Sequence, residues 1–266
     1  MSDDDKPLRL GGMALGNGLL VHGPTHWAAA VRAPSGEIQR ASGVKPRVRG
    51  RVADVPGARG VVRMGEAMLV IPLVKRALPA AKLPFQDATV LGAMVGASVA
   101  GTLLRRRGSA GAEALVGIIS ILPSMVALRS GELAEYHGAE HKTIGAYETG
   151  SADAAAEATK EHDRCGSHLM APLLAANLGG TLLLKSLVEK PRPIHGAAVS
   201  VVSLGAAVEV FAWSERHRGS TLSDALQRPG HELQRLLGTR EPSAEQLEVG
   251  RAALDEILLA EGVATM

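Results

Sequence analysis

The residues best suited to chemistry lie close together, between positions 132 and 168. The first group reads His-x-x-Glu-His and places His137, Glu140 and His141 in one short stretch. On an α-helix His137 and His141 lie one turn apart on the same face, where two imidazoles can bind one Zn²⁺ or a similar divalent ion. Glu140 lies beside them, so its carboxylate can act as a general base toward water. Inverted zinc peptidases use the same spacing.

A second pair of candidate ligands, His162 and Cys165, follows about twenty residues later. Imidazole nitrogens with one thiolate suit zinc or another divalent transition metal and do not suit magnesium. If this pair does not bind a metal, the alternative is that His162 is a solvated loop histidine and Cys165 an inert small residue at a membrane boundary. Glu148 repeats the helix face of His137 but lies about 16 Å further along the axis, so it can join the site only if the helix breaks at Gly145.

The number of protein ligands separates two possible functions. Four ligands would close a tetrahedral site and make it structural, whereas catalysis needs an open position. The first interpretation is a metal-dependent hydrolase with Glu140 as its base. The second is a metal-stapled membrane scaffold that recruits a protein partner through the C-terminal helix. Glu209, an acid at the end of the last apolar run, either serves a function such as ion transport or marks the membrane boundary.

The composition indicates that membrane helices position these residues. The 266 residues are 46% apolar but only 2% aromatic, and they include 31 glycines, as is typical of closely packed membrane helices. A formal charge of +2 excludes a strongly basic nucleic-acid-binding surface, so we expect no nucleic-acid partner. A single cysteine excludes internal disulfides and fits a reducing compartment.

Uncharged runs predict about four transmembrane helices in contact with membrane lipid. They cover residues 88–104, 114–128, 165–184 and 193–208. Buried helices of a soluble domain are the alternative, but basic clusters bound the runs and no polar stripe interrupts them. The predicted fold is a mainly α membrane protein with a small β-containing N-terminal region and a helical C-terminal region.

The chain divides into four predicted regions. They are a β-rich region 1–56, an amphipathic helix and linker 57–86, the transmembrane helices 87–214 with a metal-motif loop 129–167, and a helical region 215–266. Strands are predicted at 19–22, 27–32 and 37–40, while Gly11 and Gly12 are expected in a turn. Ser243 is the predicted N-cap of the last helix, with Gln246 as its capping-box partner.

The orientation in the cell membrane has opposing indications. The lone reduced cysteine favours a cytoplasmic location for the metal loop and both termini. The basic residues in the two short hairpin loops, 105–107 and 185–192, favour the opposite orientation under the positive-inside rule. We expect the cytoplasmic arrangement.

The central motifs resemble a known family. Residues 136–144, the pair Tyr147–Glu148 and residues 162–167 are similar to the hallmark motifs of the YqhQ-like family of bacterial membrane proteins, commonly labelled predicted metal-dependent enzymes. Weaker likenesses lie at 11–32 and at 229–248, and Ser167 stands where the family usually has threonine. The resemblance implies a membrane location and a metal, but it supplies no substrate.

Overall fold

The computed structural model describes residues 7–48, 50, 55–107, 109–129 and 131–263. Its N-terminal part is an antiparallel sheet of four strands in chain order. The strands are β1 (Gly11–Leu15), β2 (Gly18–His22), β3 (His26–Arg32) and β4 (Ile38–Val44). The predicted strands are therefore present, and the predicted turn before β4 is formed with Gly36 at a φ of 88°.

The first strand corrects the expectation for Gly11 and Gly12. Both glycines pair with β2, Gly11 opposite His22 and Gly12 opposite Val21, so they belong to the sheet and not to a turn. The turn comes later, at Gly16 and Asn17, where the Asn17 side chain donates to two backbone carbonyls and accepts from the Lys82 N–H. Gly12 lacks a Cβ where the Glu140 carboxyl group packs against the strand, so a side chain at this position would collide with it.

Nine α-helices follow the sheet in the described residues. They are α1 (Ala58–Ala77), α2 (Ala88–Arg105), α3 (Ala110–Ile119), α4 (Leu122–Arg129), α5 (Glu132–Glu148), α6 (Met170–Leu187), α7 (Pro193–Arg216), α8 (Thr221–Leu233) and α9 (Ala244–Ala260). A five-residue π-helix, Gln234–Gly238, continues α8. Ser243 caps α9 and forms the capping box with Gln246, which confirms that prediction.

Four described segments are long and apolar enough to cross a membrane, as the sequence predicted. They are Ala88–Arg105, Ala110–Arg129, Gly166–Leu187 and Ile194–Arg216. Their 18 to 23 residues correspond to about 27–35 Å of helix, close to the hydrocarbon thickness of a bilayer. The second span comprises α3 and α4, which are separated by Ser120 and Ile121.

Acidic side chains link the spans to one another and to α1. Glu113 is buried between Arg105 and Lys185, with nitrogen–oxygen distances of 3.4 and 2.9 Å, and so joins α3 to α2 and α6. Glu209 accepts two hydrogen bonds from the Arg59 guanidinium and one from the Gly57 N–H. The role of Glu209 in the structure is therefore to hold the start of α1 against α7.

The alternation of side chains along the sheet creates two cores. One face, which includes Leu19 and Val21, packs against α5 and α9. The opposite face, which includes Leu20 and Val31, packs against the second half of α1. Three consecutive alanines in β3, residues 28–30, are fully buried, and their small size lets helices approach the sheet closely. This packing fixes α5, the helix that carries the His-x-x-Glu-His motif.

Candidate metal centre

Helix α5 is continuous through the motif and places His137 and His141 on one face, with ring centroids 4.3 Å apart. Gly138 does not break the helix. Its position faces the backbone carbonyl of Arg240, where a Cβ would collide, and the Arg240 N–H donates to the Ala134 carbonyl. The glycine therefore serves a close backbone contact that holds the segment before α9 against α5.

Cys165 lies next to the two histidines. Its Sγ atom is 3.5 Å from Nε2 of His137. One ligand atom from each of His137, His141 and Cys165 lies within 4.8 Å of the other two. Ligand atoms around tetrahedral zinc are separated by about 3.3–3.6 Å, given the usual bond lengths, so a small contraction would suffice for all three to bind one ion.

Backbone carbonyls hold both histidine rings through Nδ1. The Nδ1 of His137 is 2.8 Å from the Gly238 carbonyl oxygen, and the Nδ1 of His141 is 2.7 Å from that of Lys160. A carbonyl only accepts, so each Nδ1 carries the hydrogen and each Nε2 presents its lone pair. Metal-binding histidines are commonly oriented in this way. The Nε2 of His141 is buried and has no hydrogen-bond partner among the described residues, an arrangement that a metal ion would satisfy.

The environment of His141, a candidate metal ligand, keeps its imidazole neutral. Burial, reinforced by the neighbouring imidazole of His137, lowers the pKa of His141 to about 2, so this ring stays unprotonated at neutral pH. Burial also raises the pKa of the Cys165 thiol. A bound divalent cation would reverse that effect, because it favours the thiolate form. The donor set therefore fits a metal such as zinc.

His162, the fourth predicted ligand, is held in a different contact. Its ring centroid is 5.6 Å from that of His141, but its Nε2 is 3.2 Å from the carboxylate of Glu148. Glu148 also forms an ion pair with Arg164. The structure thus brings together three of the four predicted ligands, and it gives Glu148 the role of holding His162 and Arg164 in place.

Gln234 helps to position the candidate site, although the sequence analysis did not predict this role. Its fully buried side chain accepts from the His162 N–H and donates to the His162 carbonyl and to the Ser167 hydroxyl. Its amide nitrogen also lies 3.1 Å from Nε2 of His168. Gln234 thereby fixes the segment that carries Cys165. Gln234 lies within residues 229–248, which resemble the family near the C-terminus, and this likeness was the signal in the sequence that could have identified it.

Glu140 is the buried acid of the site. Only 7% of the residue is exposed, and its carboxyl group packs on the backbone of β1 at Gly12. Burial raises the pKa of Glu140 to about 7, an effect that the nearby imidazoles of His137 and His162 oppose and the neighbouring Cys165 reinforces. Glu140, His137, His162 and Cys165 line one cavity of about 450 Å³, which is a typical volume for a small-molecule site.

Comparison with known proteins supports the resemblance of the motifs. A family model described as "Protein of unknown function (DUF1385)" matches residues 112–260, more than half of the chain. The chain is 33% identical over 132 residues to the uncharacterized protein YqhQ of Bacillus subtilis (strain 168). That match covers 48% of this chain and 41% of YqhQ, so the chain spans less than half the length of this relative. No solved structure gave a significant match. The chain therefore belongs to the DUF1385 family, the YqhQ-like family that its motifs predicted.

Proposed function

We propose that the protein is a membrane-embedded, metal-dependent hydrolase in which His137, His141 and Cys165 bind the metal and Glu140 is the general base. The observation that carries this proposal is the cluster of three candidate ligands, two of which line one cavity together with a buried carboxylic acid. Three protein ligands leave a coordination position open, which is the arrangement of catalytic rather than structural zinc sites. The contact between His162 and Glu148 supports the lower ligand count.

In the proposed reaction, the metal and each residue of the site have separate roles. A bound divalent ion supplies a Lewis acid that favours ionisation of water near neutral pH. Glu140 accepts a proton from the attacking water and returns it to the leaving group, so the hydrogen and hydroxyl of water end on separate products. The carbonyls of Gly238 and Lys160 keep the two imidazoles oriented throughout. The Glu148 carboxylate accepts from Nε2 of His162 and so holds this ring at the cavity wall.

We also propose that the site faces the cytoplasm at the edge of the cell membrane, with both termini on that side. An even number of spans returns the chain to its starting side, and a reduced thiol suits the cytoplasm. Two of the basic residues that favour the opposite orientation, Arg105 and Lys185, pair with Glu113 inside the bundle. Reporter fusions at both termini and within 149–164 should all report the cytoplasmic side, and a signal from the opposite side of the membrane for any of them would contradict this arrangement.

The test of the proposed reaction is Glu140→Gln in a deletion strain. Glutamine keeps the shape of the side chain but cannot accept the proton, and general-base catalysis is worth about 10²–10⁴-fold in rate. We expect the variant to fail in complementation while its metal content matches that of the wild type.

Glu132→Gln is the matched control, because Glu132 is an exposed acid on the same helix. It should complement fully. Full complementation by Glu140→Gln would remove the base from the hydrolase and favour the metal-stapled scaffold, in which no proton has to move.

A further inference from the structure

The cavity beside the metal cluster extends to a membrane-spanning helix. At the cluster it is lined by His137, Glu140 and Cys165. Ser124 and Leu128 of α4 line the same cavity, and α4 is the second half of the candidate span Ala110–Arg129. The cavity is therefore continuous from the candidate ligands to a helix that is expected to contact lipid.

Much of the remaining wall is aliphatic. It is formed by Leu10, Met13, Pro84, Leu128, Leu133 and Ile144. Leu133 and Ile144 belong to α5, so apolar side chains and candidate ligands come from the same helix. A site for a small polar substrate would place most of its surface against groups that cannot hydrogen-bond it, whereas a hydrocarbon chain is stabilised by such a wall.

The charges in the cavity also restrict the polar end of a ligand. Arg164 is the one arginine or lysine among the described lining residues, and its guanidinium forms an ion pair with Glu148. Glu140 adds a buried acid to the same lining. The cavity thus offers no unpaired arginine or lysine in its described lining, which favours an uncharged carbonyl group over a phosphate as the group that is bound.

We infer that the site takes an amphiphilic acyl substrate from the bilayer, an ester or amide whose carbonyl lies at the metal cluster while its hydrocarbon chain passes Leu133 and Leu128 toward the membrane. This inference rests on the proposed function, because the carbonyl is positioned by the metal. It adds the substrate class and the route by which that substrate enters.

Hydroxamates of two chain lengths test the inference, since a hydroxamate binds a metal as an acyl mimic. The full chain is placed in phosphatidylcholine nanodiscs and loaded with Co²⁺, whose visible spectrum reports binding at the metal. Acetohydroxamate tests the metal site alone, and decanohydroxamate adds the chain. We expect decanohydroxamate to bind more tightly than acetohydroxamate in the wild type.

Ser124→Trp separates binding in the cavity from simple partitioning of the long probe into the bilayer. The indole should obstruct the path of the chain, so decanohydroxamate should bind about tenfold more weakly, while acetohydroxamate binding and the Co²⁺ spectrum stay unchanged. Leu115→Trp is the matched control, because Leu115 is an exposed residue of the same span and does not line the cavity. It should leave both probes unaffected.

The outcomes distinguish this inference from the proposed function. Unchanged decanohydroxamate binding in Ser124→Trp, or an equal loss for both probes, would overturn the acyl-chain route while leaving the metal site in place. Absence of a Co²⁺ spectrum and of acetohydroxamate binding in the wild type would overturn the metal site itself, and the substrate inference with it.

Discussion

In the part of the protein that holds the sheet, α5 and α9, side chains are buried by other protein segments, whereas only 6–17% of the residues in the four candidate spans are buried inside the protein. Small residues serve both parts. In β3 they let helices pack closely on the sheet, and between the last two spans Gly180 allows Val199 to approach closely. The same composition therefore accompanies two kinds of packing, one covered by protein and one with exposed apolar surface of the kind that lipid covers.

The candidate metal centre lies where these two parts meet. His137 and His141 come from α5, which packs against the sheet, while Cys165 immediately precedes the third span. A metal at this position would join the two parts through direct bonds. If the two parts pack independently, a substitution in the membrane part should leave metal content largely unchanged, and a substitution of a ligand should leave the packing of the spans largely unchanged.

The largest expected effect is loss of metal from His141→Ala. Ligand contacts together supply about 10–16 kcal/mol in structural zinc sites, so removing one of three should cost several kcal/mol of metal affinity. Elemental analysis of purified protein should show about one equivalent in the wild type and little in the variant. His231→Ala, at an exposed histidine outside the cluster, should retain the metal. Equal metal content in both variants would show that His141 is not a ligand.

The corresponding test of the membrane part is Glu113→Gln. It removes the buried charge that pairs with Arg105 and Lys185. Both partners are partly exposed and keep some solvation, so we expect a loss of about 1–3 kcal/mol in stability, with metal content unchanged.

Thermal unfolding in detergent measures this loss. Glu189→Gln, an exposed acid after α6, is the control and should have no measurable effect. Metal loss that accompanies Glu113→Gln would show that the two parts are not independent.

A smaller effect concerns pH and the sheet. Burial, together with the charge of Lys45, lowers the pKa of His22 to about 4, and its Nδ1 has no hydrogen-bond partner among the described residues. The folded state therefore binds the proton less well than the unfolded state, whose pKa is 6.5. The resulting contribution of neutral His22 to the free energy of unfolding is fully present above pH 6.5 and is lost as the pH falls toward 4.

Because His22 retains some solvent contact, we expect about 1–2 kcal/mol of this pH-dependent loss. Unfolding measured between pH 7 and pH 4.5 should show a shallower decline for His22→Gln than for the wild type. Identical slopes would show that His22 does not contribute to the pH dependence of stability. His217→Gln, at an exposed histidine, serves as the reference variant.

Local patterns in the sequence predicted much of this fold. The uncharged runs are sufficient to identify four spans, and the Ser243–Gln246 capping box depends only on neighbouring residues. Strand β1 was missed because two glycines usually indicate a turn. Their place in the sheet depends on pairing with β2, and the lack of a side chain at Gly12 suits the close approach of Glu140.

The candidate site was predictable only in part, for the same reason. The spacing of His137 and His141 places them on one helix face, and α5 has that geometry. The carbonyls of Gly238 and Lys160 that orient them are backbone atoms from distant segments, which carry no sequence signal. The contact between His162 and Glu148 depends likewise on how the chain returns after α5.

In the proposed centre, three protein ligands hold the metal and leave one position open. X-ray absorption spectroscopy of the zinc-loaded protein, compared between the wild type and His162→Ala, tests it most directly. We expect two imidazole nitrogens, one sulfur and a light-atom ligand from solvent in both proteins, with equal zinc content. A wild-type site with three imidazoles and one sulfur, or loss of zinc from His162→Ala, would contradict an open catalytic site and establish a closed structural one.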